Sequence, residues 1–220
     1  MSGKLPKNYM VAKENYEKFC NLPGSLHIAT IGSQFNLLNL IDQYNPKSLL
    51  DFGAGIGTMS NLVLNYDHIS LIIVEKNEFC ETQLKINLPI DHVLIHKKIP
   101  KCQFDFVIID DTIDFTEIFR ILNFAGDKLV VFIEGRRSST ISKLSLCAML
   151  FSFNGSYNHP NNDSILVKFQ FNEKSGSWFI LNRGSVFKAI LSYSKKFGQT
   201  NQIREFYFFL LKKFKVVKMK

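Results

Sequence analysis

No stretch of the 220 residues approaches the ~18 consecutive apolar residues that a membrane-spanning helix requires. Four cysteines (Cys20, Cys80, Cys102, Cys147) are scattered without a CxxC pair, so reduced thiols in a cytoplasmic protein are the expectation. The opening residues, MSGKLPKNYMVAKENYEKF, lack the apolar core of a secretory leader. There is no internal repeat, no low-complexity tract and no convincing linker, which favours one domain over 1–220. Two further absences concern the glycine-rich segment LLDFGAGIGT at 49–58. No GK[ST] follows it, so it is not a Walker loop. Thr58 stands where the third glycine of the dinucleotide GxGxxG would fall.

What is present is an apolar fraction of 46%, ample for a folded core. Lys and Arg total 27 against 19 Asp and Glu, a formal charge of +8. Part of that excess sits in the terminal KKFKVVKMK, which reads first as a solvated end and second as a contact for nucleic acid or anionic lipid.

Apolar spacing predicts helices over 9–20, with Tyr9, Ala12, Tyr16 and Phe19 on one face, and over 33–44 with Ser33 as N-cap. Strands and helices then alternate. SLLDF, ISLIIVE, HVLIH, FDFVIID and KLVVFIE are strand-like; TMSNLVLNY, NEFCETQLKINL, FTEIFRILNFA (ended by Gly126) and STISKLSLCAMLF are helix-like. Strand interiors rich in Ile, Leu, Val and Phe imply strands covered on both faces, and alternating βα units imply a doubly wound parallel sheet. SILVKFQFN and SWFILNRG, linked by EKSG, are expected to form an antiparallel hairpin with Trp178 packed in it. Segments 185–197 and 201–214 look helical, the apolar stripe of FYFFLLKKF favouring core packing over a dimer contact.

Glycines between a strand and a helix let backbone N–H groups approach a ligand closely. Glu75 ends the next strand, 18 residues after Gly57. In a doubly wound sheet an acid so placed can accept from ribose hydroxyls.

Together LLDFGAGIGT, IIVEKN and FDFVIIDD resemble the Rossmann-like, class I S-adenosylmethionine-dependent methyltransferases, over roughly residues 25–185. The resemblance implies an α/β fold: a doubly wound, mostly parallel seven-stranded sheet with a C-terminal antiparallel hairpin and helices on both faces. It implies S-adenosyl-L-methionine as cofactor, with Asp51, Gly53, Gly55 and Gly57 along its methionine part, Glu75 on the ribose, and Asp110 beside the amino group or the substrate. Residues 1–32 would form a helical lid and 185–220 a helical extension. The acid or Asn that many members place after strand three is replaced by His96 and Lys97.

GSQFNLLNLIDQYNPKSLLDFGAGIG is similar to the opening segment of small O-methyltransferases of the catechol type, which would put Gly32 and Ser33 at the pocket mouth. Those enzymes hold Mg²⁺ with an Asp after strand four and an Asp–Asn pair after strand five. Here Glu134 is followed by Gly135, so Mg²⁺ ranks behind a metal-free site in which Asp111 or Glu134 orients or deprotonates the acceptor. Arg136 and Arg137 are candidates to bind an anionic acceptor. His92 and His96 flank a strand without a third ligand and do not read as a metal site; His27 and His159 are isolated, each a base only if folding brings it to the pocket. NPPY and DPPY, found in many methyltransferases of nucleic acid bases, are absent.

A methyl transfer to oxygen of a polar or anionic small molecule is the leading expectation. RNA or protein methylation through the basic surface, or a non-catalytic nucleoside-binding member of the fold, are the alternatives.

Overall fold

The computed structural model describes residues 6–89, 94–135, 137–150, 153–158 and 176–183. In chain order the elements are α1 (Lys7–Phe19), a 3₁₀ turn (Ser25–His27), α2 (Ile31–Tyr44), β1 (Ser48–Phe52), α3 (Thr58–Val63), β2 (Ser70–Val74), α4 (Glu78–Asn87) and β3 (Ile95–His96). There follow β4 (Phe104–Ile109), α5 (Phe115–Phe124), β5 (Ala125–Ile133), α6 (Ser138–Leu150), β6 (Phe153–Asn158) and β7 (Ser177–Arg183).

The strands form one seven-stranded sheet in the order β3-β2-β1-β4-β5-β7-β6. The first five run parallel, and β7 is antiparallel to both its neighbours. This is the doubly wound, mostly parallel sheet with a C-terminal antiparallel pair that the sequence implied.

Alternation along the strands sorts the core. Leu50, Phe52, Val107 and Ile109 pack against α5 and α6; Leu49, Phe106 and Ile108 pack against α1, α2 and α3. A third cluster seats α4 through Leu84 and Leu88 on Ile73, Ala54 and Ile56. Helix α5 is specified locally as well: Asp114 and Glu117 form a reciprocal capping box.

Several boundaries differ from the sequence reading. The N-cap of α2 is Thr30, whose hydroxyl accepts the Ser33 amide at 3.2 Å, so the expected cap Ser33 lies inside the first turn. Gly126 does not end α5: the chain passes directly from Phe124 into β5 at an extended Ala125. On the side of β7 away from β5 lies β6, paired from Phe153↔Arg183 to Asn158↔Trp178; the apolar run 164–172, expected to form a hairpin with β7, lies outside the described residues. Phe153–Asn158 reads FNGSYN, which carries no alternating apolar signal, so only its backbone pairing makes it a strand. The two expected C-terminal helices, the basic tail, His92, His159 and Arg136 also lie outside the described residues. Among the described residues no helix is long and apolar enough to cross a membrane.

Candidate functional site

Strand order reverses between β1 and β4, where the chain winds outward in both directions, and the crevice beyond the carboxyl ends of these strands is where doubly wound sheets bind ligands. The parallel register brings a row of residues level just past the strand ends. Gly53 N–H donates to Val74 C=O (2.9 Å), Asp110 N–H to Phe52 C=O (2.9 Å), Glu134 N–H to Ile109 C=O (3.0 Å) and Glu75 N–H to His96 C=O (3.0 Å). Glu75, Gly53, Asp110 and Glu134 therefore follow one another across four adjacent strands.

Over this row lies a cavity of about 330 Å³, within the range of small-molecule clefts. Gly53, Gly55, Glu75, Asp110, Asp111 and Arg137 line it. Gly57 and Asp51 are not among its lining residues, nor is Glu134.

The glycines have separate reasons. Gly53, Gly55 and Gly57 have φ of 82°, 56° and 100°, a region that L side chains rarely adopt. A Cβ on Gly53 would stand 2.4 Å from Asp111 Cβ, so this glycine lets the β1 and β4 loops touch. A Cβ on Gly55, which lines the cavity, would meet nothing within 4 Å. The loop is locked from the next strand: Glu75 accepts the Gly55 amide at 2.8 Å on one carboxylate oxygen and the Asn77 amide at 2.8 Å on the other. Two of the carboxylate's roughly four lone-pair sites remain for a ligand facing the cavity.

Asp51 lies beneath the loop, fully buried, and accepts the Ser60 hydroxyl at 2.6 Å; its other oxygen has no partner among the described groups. Burial, with the charge of Glu75 adding to it, pushes its carboxyl up to about 7 against the pull of Ser60. Asp51, expected along the methionine part of a cofactor, thus supports the loop from below through Ser60.

Arg137 donates through Nη2 to the Asp110 side chain (2.8 Å) and the Asp110 carbonyl (2.7 Å), and through Nε to the Glu134 carbonyl (3.0 Å). Its guanidinium ties the β4 and β5 ends together, leaving the Nη1 edge for anything else. Burial, then the charge of Glu134, raises the Asp110 carboxyl well above the usual carboxylate range, while Arg137 opposes them. Glu134 accepts the buried Ser33 hydroxyl at 3.2 Å, so Ser33 sits against the β5 end and not at the mouth. Asp111 caps its own loop, accepting Thr112 N–H and Oγ1–H at 2.6 and 3.2 Å.

The α1–α2 connection forms another wall through Gly24, His27 and Ala29. It is held by a buried polar network: Asn15 donates to Gln34 Oε1 (2.8 Å) and to Thr58 C=O (2.9 Å), and Gln34 donates to Ala29 C=O (2.8 Å). Folding therefore brings His27 to the cavity, which its isolated position in the sequence could not show. Asn77 and Cys80 also line it and carry no sequence motif. Burial, then the charges of Glu75 and Asp111, push the Cys80 thiol up, away from thiolate chemistry. Lys97 lies outside the cavity lining and pairs with Glu81 at 2.6 Å. Among the described residues no three His, Cys, Asp or Glu side chains converge as metal ligands.

The chain matches no family model and no curated protein sequence. Solved structures do match it. The O-methyltransferase TomG from Streptomyces achromogenes, solved with S-adenosylmethionine, is 15% identical; the match covers 84% of this chain and 93% of that one, with a TM-score of 0.52. The fold is that of the class I, Rossmann-like methyltransferases. Precorrin-6y C5,15-methyltransferase from Geobacter metallireducens shares this fold at 12% identity, over 73% of this chain and 91% of its own, with a TM-score of 0.54. So does PH1948 from Pyrococcus horikoshii, a candidate RNA methyltransferase, at 14% identity, over 81% and 97%, with a TM-score of 0.54. Within the methyltransferase fold the glycine turn, Glu75 and Asp110 occupy the switch point at the strand ends.

Proposed function

We propose that this chain is an S-adenosylmethionine-dependent methyltransferase that acts on an oxygen of a polar small molecule. One observation carries the reading: the Gly55 amide is fixed by the Glu75 carboxylate at 2.8 Å, both residues line the strand-end cavity, and a Cβ at position 55 would meet nothing within 4 Å. The residues fit the cofactor. Glu75 keeps lone pairs for ribose hydroxyls, Gly53 and Gly55 leave room for the methionine part, and Asp110 lies across the cavity from the turn. When bound, S-adenosylmethionine supplies a methyl group on a sulfonium, a good leaving group.

The chain's own work is orientation and proton handling. Arg137 fixes Asp110, and the carboxylates of the row favour a cation next to them. Asp111 and His27 line the cavity, and each has a group able to take a hydroxyl proton. Glu134 acts from behind, through Ser33 and the Arg137 region. Arg137 being tied to Asp110, the acceptor need not be anionic; its Nη1 edge is the one left to steer a polar group. The described cavity wall carries Glu75, Asp110 and Asp111 against Arg137, a balance that favours a small neutral or weakly charged acceptor over a polyanion entering there.

Calorimetry with S-adenosylmethionine and S-adenosylhomocysteine tests this directly. Micromolar binding is expected for the wild type, weakened about tenfold or more in Glu75→Gln, where a charge-assisted ribose contact is lost. A folded wild type that binds neither compound would sink the proposal.

A further inference from the structure

Connections between parallel strands usually carry a helix of a dozen or more residues. The β3–β4 connection must cross β2 and β1, yet it has seven residues, 97–103, and no helix. It runs as a short, bent strap on the face covered by α5 and α6, pinned there by Ile99. Between strap and α5 this leaves a cleft of about 420 Å³, separate from the cavity at the strand ends.

The cleft has an apolar floor and a cationic rim. Ile99, Phe119 and Phe124 line it, and Ile99 and Phe119 are recessed at 6% and 9% exposure. Lys98 and Lys101 from the strap and Arg120 from α5 stand exposed around it. None of these three cations pairs with a carboxylate among the described residues, whereas Lys76, Lys85 and Lys97 nearby do. Asn123 adds an amide able to donate and accept at the edge. Charge is thus segregated: acids around the strand-end cavity, unpaired cations around this one.

We propose that the strap–α5 cleft binds single-stranded nucleic acid, with phosphates on Lys98, Lys101 and Arg120 and a base against Phe119 and Phe124. Cations bordering aromatic surface are the chemistry by which proteins hold unpaired strands, the charges tracking the backbone and the rings taking base faces. The net charge of +8 favours approach of a polyanion. A bilayer would ask for protruding apolar side chains, but these are sunk in the cleft. An acidic peptide would leave the aromatic floor unused. The proposal does not depend on the strand-end site: it makes this face a docking surface whether or not the methyl acceptor is attached to the bound strand.

Fluorescence anisotropy of a labelled oligouridylate of about 12 nucleotides, titrated with the full chain between about 50 and about 200 mM salt, tests it. Because the terminal lysines also attract polyanions, one variant replaces Lys212, Lys213, Lys215, Lys218 and Lys220 by Gln. This variant is expected to retain salt-dependent binding. Lys98→Ala/Lys101→Ala/Arg120→Ala should weaken binding at least tenfold at low salt. It should also flatten the log–log salt slope by about 2, from three lost phosphate contacts at ~0.7 each. Phe124→Leu should weaken binding about tenfold at unchanged slope. All variants should melt like wild type, and the triple variant should keep wild-type affinity for S-adenosylmethionine, so that failure here and failure of the cofactor site are told apart. Four results overturn the proposal: no binding by wild type at low salt; binding abolished by the tail variant and untouched by the triple variant; Phe124→Leu inert with inorganic polyphosphate competing as well as the oligonucleotide; or capture by phosphatidylserine vesicles, lost in the triple variant, without oligonucleotide binding.

Discussion

The Gly55 amide donates to the Glu75 carboxylate at 2.8 Å, although the two residues stand 20 apart in sequence, and a Cβ built on Gly55 touches nothing within 4 Å. The turn is therefore held from one side and open on the other. Gly53, two residues earlier, is closed in: its Cβ would lie 2.4 Å from Asp111 Cβ and 2.9 Å from Asp111 N.

These two glycines should separate folding from binding. Gly55→Ala bears only the left-handed backbone cost, about 1–2 kcal/mol, and should fold, yet lose S-adenosylmethionine affinity at least tenfold because the turn at position 55 lines the proposed cofactor cavity. Gly53→Ala adds a backbone clash and should cost about 3 kcal/mol or more. Urea denaturation and calorimetry on both variants check this; equal stability losses would remove the distinction.

Asp51 should make stability depend on pH. Its carboxyl titrates near 7 in the fold, against 3.8 as the reference. An acid with a raised folded-state pKa binds more protons folded than unfolded between these values. Its contribution is thus most favourable below about 4 and is lost as pH rises towards 7. Asp51→Asn lacks this titration. The stability of wild type relative to Asp51→Asn should accordingly improve by about 2–3 kcal/mol on going from pH 8 to pH 5. An offset that stays constant across that range would show that Asp51 is not held protonated.

Arg137 and Asp110 offer a second pH test of opposite sense. Arg137→Met leaves Asp110 beside Glu134 without its cation. With both partners partly exposed, the loss should be about 1–3 kcal/mol at pH 8 and should shrink towards pH 5 as Asp110 takes up a proton. Arg137→Lys should restore little, since a single ammonium cannot span the Asp110 side chain, the Asp110 carbonyl and the Glu134 carbonyl as the guanidinium does. Full recovery in the Lys variant would reduce the role of Arg137 to point charge.

Asn15 clamps α1 to the glycine turn, since it reaches Gln34 and Thr58 C=O and accepts from Asn61 at 2.6 Å. Asn15→Leu keeps the volume and strands two buried partners and the half-buried Asn61, which should cost about 3 kcal/mol in urea denaturation. A loss under about 1 kcal/mol would mean that water replaces the side chain.

The periodic segments of this chain were readable without coordinates. Near-continuous apolar runs such as FDFVII and SLLDF form parallel strands because both faces are covered, and the glycine–acid pattern marks the turn because only glycine tolerates its φ. FNGSYN was not readable: a strand set by pairing with β7 needs no apolar period of its own. The sequence by itself determined the alternation of strands and helices, the glycine turn and the acids that end β2, β4 and β5. Only the tertiary structure decided that Asp51 supports the loop from below, that Arg137 turns onto Asp110, that His27 reaches the cavity, and that a short strap leaves a cationic cleft beside α5. Local pattern follows from the chemistry of neighbouring residues, whereas each of these four relationships joins residues that only strand register and helix packing bring within reach.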